Sequence, residues 1–219
     1  MKIRAVLTDL DGTLVDSIPL IMESDNAAIK KFGFKVTHQR LRELSQLHSR
    51  EIAYYLMDSN RTSFDLFAFV DYRRNYFVRL LKKHKPKNLW FKDSKEFLSQ
   101  VSRIFPLAVV TGSRHRFVNA IFDKKTRSFV DFFITSDDVE HKKPDVEPLL
   151  RAIKLLGVDK SEVVFIGDSE QDGLMCQRAG VKFVAKIGGI STENSLRKYK
   201  PVFVAKSFSE VLRFLNLFS

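Results

Sequence analysis

The spacing of apolar positions changes character twice along the chain. From Ile3 to Leu7 an apolar, β-type run stops at Asp9, with Asp11 and Gly12 just beyond, the pattern of a buried strand opening into a tight turn. From Ser17 the period turns helical. Ser17 and Pro19 give a cap and first-turn signal, and Ile18, Met22, Ile29 and Phe32 share one face until Gly33 ends the run. Leu41, Leu44 and Leu47 keep helical spacing, as do Ile52, Tyr55 and Leu56 after Ser49. A longer helix starting near Ser63 sets Phe67, Val70, Phe77 and Leu81 along one stripe. No strand pattern interrupts residues 17–88, a stretch closed by Lys85, Pro86 and Lys87.

From Phe91 onward helices and strands alternate. Asp93 and Glu96 form a capping-box pattern ahead of Phe97, Leu98, Val101 and Ile104, and Pro106 leads into a buried strand from Leu107 to Val110 that ends at Thr111. A short strand follows at Phe132 to Thr135. Pro144 opens a helix carrying Val146, Leu149, Leu150, Ile153 and Leu156 up to Gly157, and a strand from Val163 to Ile166 runs into Gly167 and Asp168. A helix to Gly180, a strand from Val181 to Ala185, an edge strand at Val202 to Val204 and a last helix capped by Ser207 and Glu210 complete the pattern. Such alternation predicts an α/β fold with a doubly wound parallel sheet. The expected domains are a core of residues 1–16 and 89–219 and a small all-helical insert of residues 17–88, placed after the first strand.

Composition narrows the classes. A chain of 219 residues that is 44% hydrophobic can bury one sizeable core and a smaller insert. No stretch reaches membrane-spanning length, and too few apolar residues precede Asp9 for a signal peptide, so a cytoplasmic protein without a membrane partner is expected. The single cysteine, Cys176, excludes an internal disulfide framework and agrees with a reducing compartment. A formal charge of +11 raises nucleic acid as a partner. The basic residues are dispersed, however, and their densest cluster, Lys82, Lys83, His84, Lys85 and Lys87, falls where a helix ends and cations favour its dipole. A solvated basic surface that attracts small anionic substrates is the expectation, with nucleic acid set aside.

Candidate chemistry lies at the strand ends, the edge of an open α/β sheet where ligands bind. Asp9 and Asp11, separated by one residue, place like charges close together, which raises a pKa or demands a cation; a divalent metal resolves this and leaves one carboxylate as a nucleophile. Thr111, in VVTGS, offers a hydroxyl, and Gly112 and Ser113 can point backbone amides at a phosphate at a helix start. Lys143, in HKKPD, can neutralise a phosphoryl group as a point charge. Asp168 and Asp172, in IGDSEQD, add carboxylates where a strand meets a helix. Each residue also has a plain structural use, as turn, cap or exposed charge. Together they supply a nucleophile, a metal site, charge neutralisation and a proton donor, the parts that phosphoryl transfer requires.

DLDGTLVDS, VVTGS, the Lys143-Pro144 pair and GDSEQD, in that order, resemble the four motifs of the haloacid dehalogenase superfamily, in its phosphoglycolate phosphatase-like branch with a helical cap. The resemblance implies a Rossmann-like core and a magnesium-dependent phosphatase of small phosphorylated metabolites. By it, Asp9 attacks phosphorus and becomes an aspartyl phosphate, and Asp11 protonates the leaving oxygen and later activates water. Mg2+ is held by the Asp9 side chain, the Asp11 carbonyl and Asp168, with Asp172 supporting the metal or orienting Lys143. Thr111 holds a phosphoryl oxygen beside Gly112. Asp11 argues against dehalogenation, since the superfamily's dehalogenases lack this second aspartate. Thr8 stands where relatives carry an aromatic residue, Val146 replaces a proline, and Gln46 stands where cap turns of phosphoglycolate phosphatase-like relatives carry glycine. Arg50, in the same segment, is the expected reader of a second substrate anion. A phosphosugar mutase shares all four motifs, and a basic regulatory or nucleic-acid-binding protein on an inactive scaffold is the alternative from another class.

Overall fold

The apolar run that opens the chain becomes the central strand of a parallel sheet. A computed structural model describes residues 2–216, the side chain of Lys87 excepted. In it Ala5–Thr8 form β1, with all four residues buried because both sheet faces are covered. The helical stretch gives α1 (Ile18–Lys31), α2 (His38–Leu44), α3 (Ser49–Ser59) and α4 (Leu66–His84). Then come α5 (Ser94–Val101), β2 (Leu107–Val110), α6 (His115–Ile121), α7 (Lys124–Arg127), β3 (Phe132–Ile134), α8 (Glu147–Leu156) and β4 (Val163–Gly167). The chain continues through α9 (Glu170–Ala179), β5 (Lys182–Lys186), α10 (Glu193–Arg197), β6 (Phe203–Ala205) and α11 (Phe208–Leu215). It divides into two compact units, one of Met1–Asp16 with Leu89–Ser219 and one of Ser17–Asn88.

In the larger unit all six strands are parallel, in the order β3-β2-β1-β4-β5-β6. The chain leaves β1 toward β2 and β3 and later returns to β1's other side with β4, so the order reverses between β1 and β4. Ligands of open α/β sheets bind at that reversal, outside the carboxyl ends of the strands. Leu7, Val110, Phe165 and Phe183 from four strands pack with Leu149, Ile153, Met175 and Leu196 from the covering helices. The two chain crossings at the insert are zipped together within this unit: Asp16 N–H donates to Leu89 O at 2.7 Å and Phe91 N–H to Leu14 O at 3.1 Å.

In the smaller unit α1 and α4 run antiparallel, with Phe32 against Phe69 at 5.3 Å near one end and Arg73 paired to Asp25 further along. Phe32, Phe34, Phe64 and Phe69 form one aromatic cluster. Arg73 also donates to Ser49 Oγ at 3.0 Å, tying α4 to the start of α3.

Several local expectations are corrected. Helix α2 stops at Leu44, leaving Leu47 exposed, and α4 starts at Leu66 with Asp65 as its cap, not near Ser63. Phe67 is 70% exposed; α4 buries Phe69, Leu80 and Leu81 because the aromatic cluster draws Phe69 inward. Helix α8 begins at Glu147, three residues past Pro144, with Val146 as its cap. Ile104 lies beyond α5 and is half exposed. Asp93 does not cap its own helix through its side chain; Oδ2 accepts instead from Phe208 N–H at 2.8 Å, supplying an acceptor to α11. The helix expected after Thr111 is α6, which starts at His115, while the sequence pattern does not signal α7 or α10. Among the described residues no helix is long and apolar enough to cross a membrane.

Candidate active site

Where β1 ends, Asp9 N–H donates to Ile166 O at 2.8 Å, extending the ladder to β4 by one residue and fixing the Asp9 side chain at the strand's carboxyl end. The chain then folds back on itself: Gly12, at φ +76°, donates to Val15 O at 2.8 Å, and Leu14 N–H donates to Leu10 O at 2.9 Å. Gly12 is needed on two counts. Its backbone is left-handed, and a Cβ there would overlap the Asp168 carboxylate.

Lys143 reaches this site from the loop between β3 and α8. Glu147, in the first turn of α8, accepts from Glu140 N–H at 3.0 Å and His141 N–H at 2.7 Å, folding the loop over its own helix. These bonds hold the Glu147 carboxyl below its usual pKa range. The Lys143-Pro144 peptide is cis. The Lys143 ammonium, 5% exposed, donates to Asp9 Oδ1 and to Asp172 Oδ1, both at 2.7 Å. Asp172 divides its two oxygens: Oδ2 accepts from Ser169 Oγ at 2.7 Å and Ser169 N–H at 3.2 Å, closing a capping box on α9. Asp168, fully buried, accepts from Thr13 Oγ1 at 2.6 Å through Oδ1 and from Ile190 N–H at 2.7 Å through Oδ2.

Asp11 turns to a second group. Its Oδ2 accepts from Ser113 Oγ at 2.6 Å and Thr111 Oγ1 at 3.3 Å, and Thr111 Oγ1 accepts from Ser113 N–H at 3.0 Å. Gly112 lies between them with open space where a side chain would be. Asp9, Lys143, Asp168 and Asp172 thus form one cluster, and Asp11, Thr111 and Ser113 another, joined through the chain from Asp9 to Asp11. Arg50 belongs to the other unit, in the first turn of α3, exposed, with its guanidinium 5.9 Å from the Phe67 ring centre. Sequence reasoning passed over Thr13, Glu147 and the turn after β5. The Gly188-Gly189 pair, two residues past the end of a strand, was the available signal for that turn.

The electrostatics ask for a cation. Carboxylate oxygens of Asp9, Asp168 and Asp172 lie within 4.8 Å of one another, all three residues buried. Burial pushes Asp168 up to about 7, with Asp172 adding to the shift. Burial also raises Asp9 well above its usual range, against the pull of Lys143. For Lys143, burial disfavours the charge, but Asp172 and Asp9 outweigh it and keep the ammonium firmly protonated. Ionising all three carboxylates beside one ammonium is opposed by burial and mutual repulsion, which is why Asp9 and Asp168 hold their protons more tightly than usual. A hard divalent cation bound by oxygen donors removes that opposition, so these residues fit Mg2+.

The sequence model of the haloacid dehalogenase-like hydrolases matches residues 6–186. Pyrophosphatase PpaX of Bacillus mycoides is 28% identical over 217 residues, covering 99% of this chain and 98% of its own. Among solved structures, one from Haemophilus somnus named as a predicted phosphoglycolate phosphatase has a TM-score of 0.77 at 18% identity, over 98% of this chain and 99% of its own. CbbY of Rhodobacter sphaeroides, solved in complex with phosphate, has a TM-score of 0.76 at 20% identity, over 95% of this chain and 96% of its own. The structural likenesses establish the fold.

Proposed function

We propose that this chain, which belongs to the haloacid dehalogenase-like hydrolase family, is a magnesium-dependent phosphatase of small phosphate monoesters that works through an aspartyl phosphate on Asp9. The observation that carries the reading is the arrangement at Asp9: a buried carboxylate at the carboxyl end of the central strand, hydrogen-bonded to a lysine shared with Asp172 and grouped with Asp168. Mg2+ would be held by Asp9, the Asp11 carbonyl and Asp168, with Asp172 behind them, and supplies charge neutralisation on the phosphoryl oxygens.

An Asp9 carboxylate oxygen attacks phosphorus while the bond to the leaving oxygen breaks, and the carboxyl of Asp11 gives that oxygen its proton. Asp11, now a carboxylate, takes a proton from water as the water attacks the aspartyl phosphate, releasing Asp9 and inorganic phosphate. Thr111 Oγ1 and the amides around Gly112 donate to phosphoryl oxygens, and Lys143 balances their charge. Ser113 and Thr111 hold the Asp11 carboxylate in the present arrangement.

On substrate class, we infer a monoester or diphosphate with a second anionic group. Residues 17–88 carry 14 Lys and Arg against 7 Asp and Glu, so most of the +11 charge lies in the insert. That excess favours dianionic substrates of phosphoglycolate type, and the pyrophosphatase relative adds pyrophosphate to the panel. Arg50 is the residue proposed to read the second anion. Phosphate release over such a panel by wild type and by Asp9→Asn tests the reading. Turnover by wild type and none by Asp9→Asn is expected, and an Asp9→Asn protein with near wild-type activity would sink the assignment.

A further inference from the structure

Two glycines, Gly12 and Gly189, crowd the Asp168 carboxylate. A Cβ at either would overlap it, so the main chain comes this close only because neither residue has a side chain. Gly189 belongs to the turn Ile187–Ser191 that follows β5, and Gly188 enters that turn at φ +109°, a conformation that residues with side chains rarely adopt. From this turn Ile190 N–H donates to Asp168 Oδ2 at 2.7 Å, opposite the Thr13 hydroxyl on Oδ1, and Ser191 N–H reaches the Asp168 carbonyl at 3.3 Å.

The turn is itself anchored. Ser191 Oγ accepts from Glu170 N–H at 3.1 Å, linking it to the first turn of α9. Ile187 N–H donates to Ala205 O at 2.8 Å, and the buried Lys186 ammonium donates to Ile187 O at 2.8 Å while lying over the Phe91 and Phe208 rings. Among the described residues each Asp168 oxygen therefore accepts from one protein donor, which sets the rotation of the carboxylate and leaves acceptor capacity on both oxygens.

We propose that the 187–191 turn is the positioning element of the cation site, with Gly189 and Ile190 locking Asp168 so that its remaining lone pairs stay with the oxygens of Asp9 and Asp172. This inference rests on the magnesium site of the proposed function. Partners that orient a ligating carboxylate typically govern metal affinity by about ten- to a hundredfold. Gly189→Ala, which forces the turn and the carboxylate apart, should therefore weaken cation binding even with no substrate present.

The test is Mn2+ binding to the full-length protein, read by electron paramagnetic resonance of the free ion, for wild type, Gly189→Ala, Asp168→Asn and the double variant. The expected result is a loss of about tenfold or more in Gly189→Ala and no further loss when it is added to Asp168→Asn, because the glycine acts through that carboxylate. Wild-type affinity in Gly189→Ala, or an additive loss in the double variant, would overturn the inference while leaving the metal site intact. Wild-type affinity in Asp168→Asn would remove the metal site from Asp168 and the inference with it. Should circular dichroism show Gly189→Ala unfolded, Ser191→Ala decides: it changes no charge and unties the turn from α9. A several-fold loss of Mn2+ affinity supports the positioning role, and unchanged affinity overturns it.

Discussion

Lys143→Met removes the ammonium hydrogen-bonded to Asp9 and Asp172 while leaving an unbranched side chain over the Phe165 ring, which lies 4.9 Å from the ammonium. Both carboxylates remain buried. Deleting one partner of a buried ion pair costs about 3–5 kcal/mol, because the group left behind pays desolvation with no compensating charge. In a protein of this size about 1 kcal/mol moves the melting temperature by roughly 2–4 °C, so a fall on the order of 10 °C is expected in chelator. The single tryptophan, Trp90, packs against Phe122 in the same unit as the site, so its fluorescence follows unfolding of that unit. Melting should be recorded with chelator and with saturating Mg2+. The cation should recover more stability in Lys143→Met than in wild type, since it then supplies the only compensation for Asp9 and Asp172. A Lys143→Met protein that melts within about 2 °C of wild type in chelator would refute the claim that the ammonium balances this cluster.

Asp11→Asn should slow turnover by about two to four orders of magnitude, least with a good leaving group such as an aryl phosphate, and phosphate should accumulate on Asp9 in quench experiments. Equal losses on alkyl and aryl esters would remove Asp11 from proton transfer. Chelation should abolish phosphate release, and Ca2+ should restore it poorly because its coordination is larger and looser than that of Mg2+. Full activity in excess chelator would count against any metal role. Arg50→Ala should lower kcat/KM for phosphoglycolate by about ten- to a hundredfold, the scale of one charged hydrogen bond, and leave an aryl phosphate nearly unchanged. Equal effects on both would take Arg50 out of substrate recognition. Asp93→Ala should cost about 1–2 kcal/mol in denaturant unfolding, the scale of a helix cap, by stripping the acceptor from Phe208 N–H.

How legible each part was depends on the range of the interaction that decides it. The strands were readable because a strand buried on both faces is an unbroken apolar run, and the sheet's parallel winding puts every strand end on one edge. The faces of α4 were not readable. Val70, Tyr72, Tyr76, Phe77 and Val78 are only partly buried and spread beyond a single stripe, so the inward face of the helix is chosen by Phe32 and Phe64 from elsewhere in the unit. Asp93 failed for the same reason: the local pattern promised a cap on α5, whereas the donor that claims it is 115 positions away. The turn at Gly188 and Gly189 carries its signal in two residues, but its purpose is visible only beside Asp168.

Asp172 shows why weighing capping against chemistry residue by residue undervalues such positions. A helix that follows a strand in a parallel sheet starts with unpaired N–H groups at the same edge where the ligand site forms, so one acidic residue there meets both demands. In Asp172 the division is atomic: Oδ2 closes the capping box with Ser169, and Oδ1 takes the Lys143 ammonium. The cap fixes the side chain's rotation, and that fixed rotation is what places Oδ1 against Lys143 at 2.7 Å. A capping signal at the carboxyl edge of a parallel sheet therefore does not compete with a role in the site. It supplies the rigidity that such a role requires.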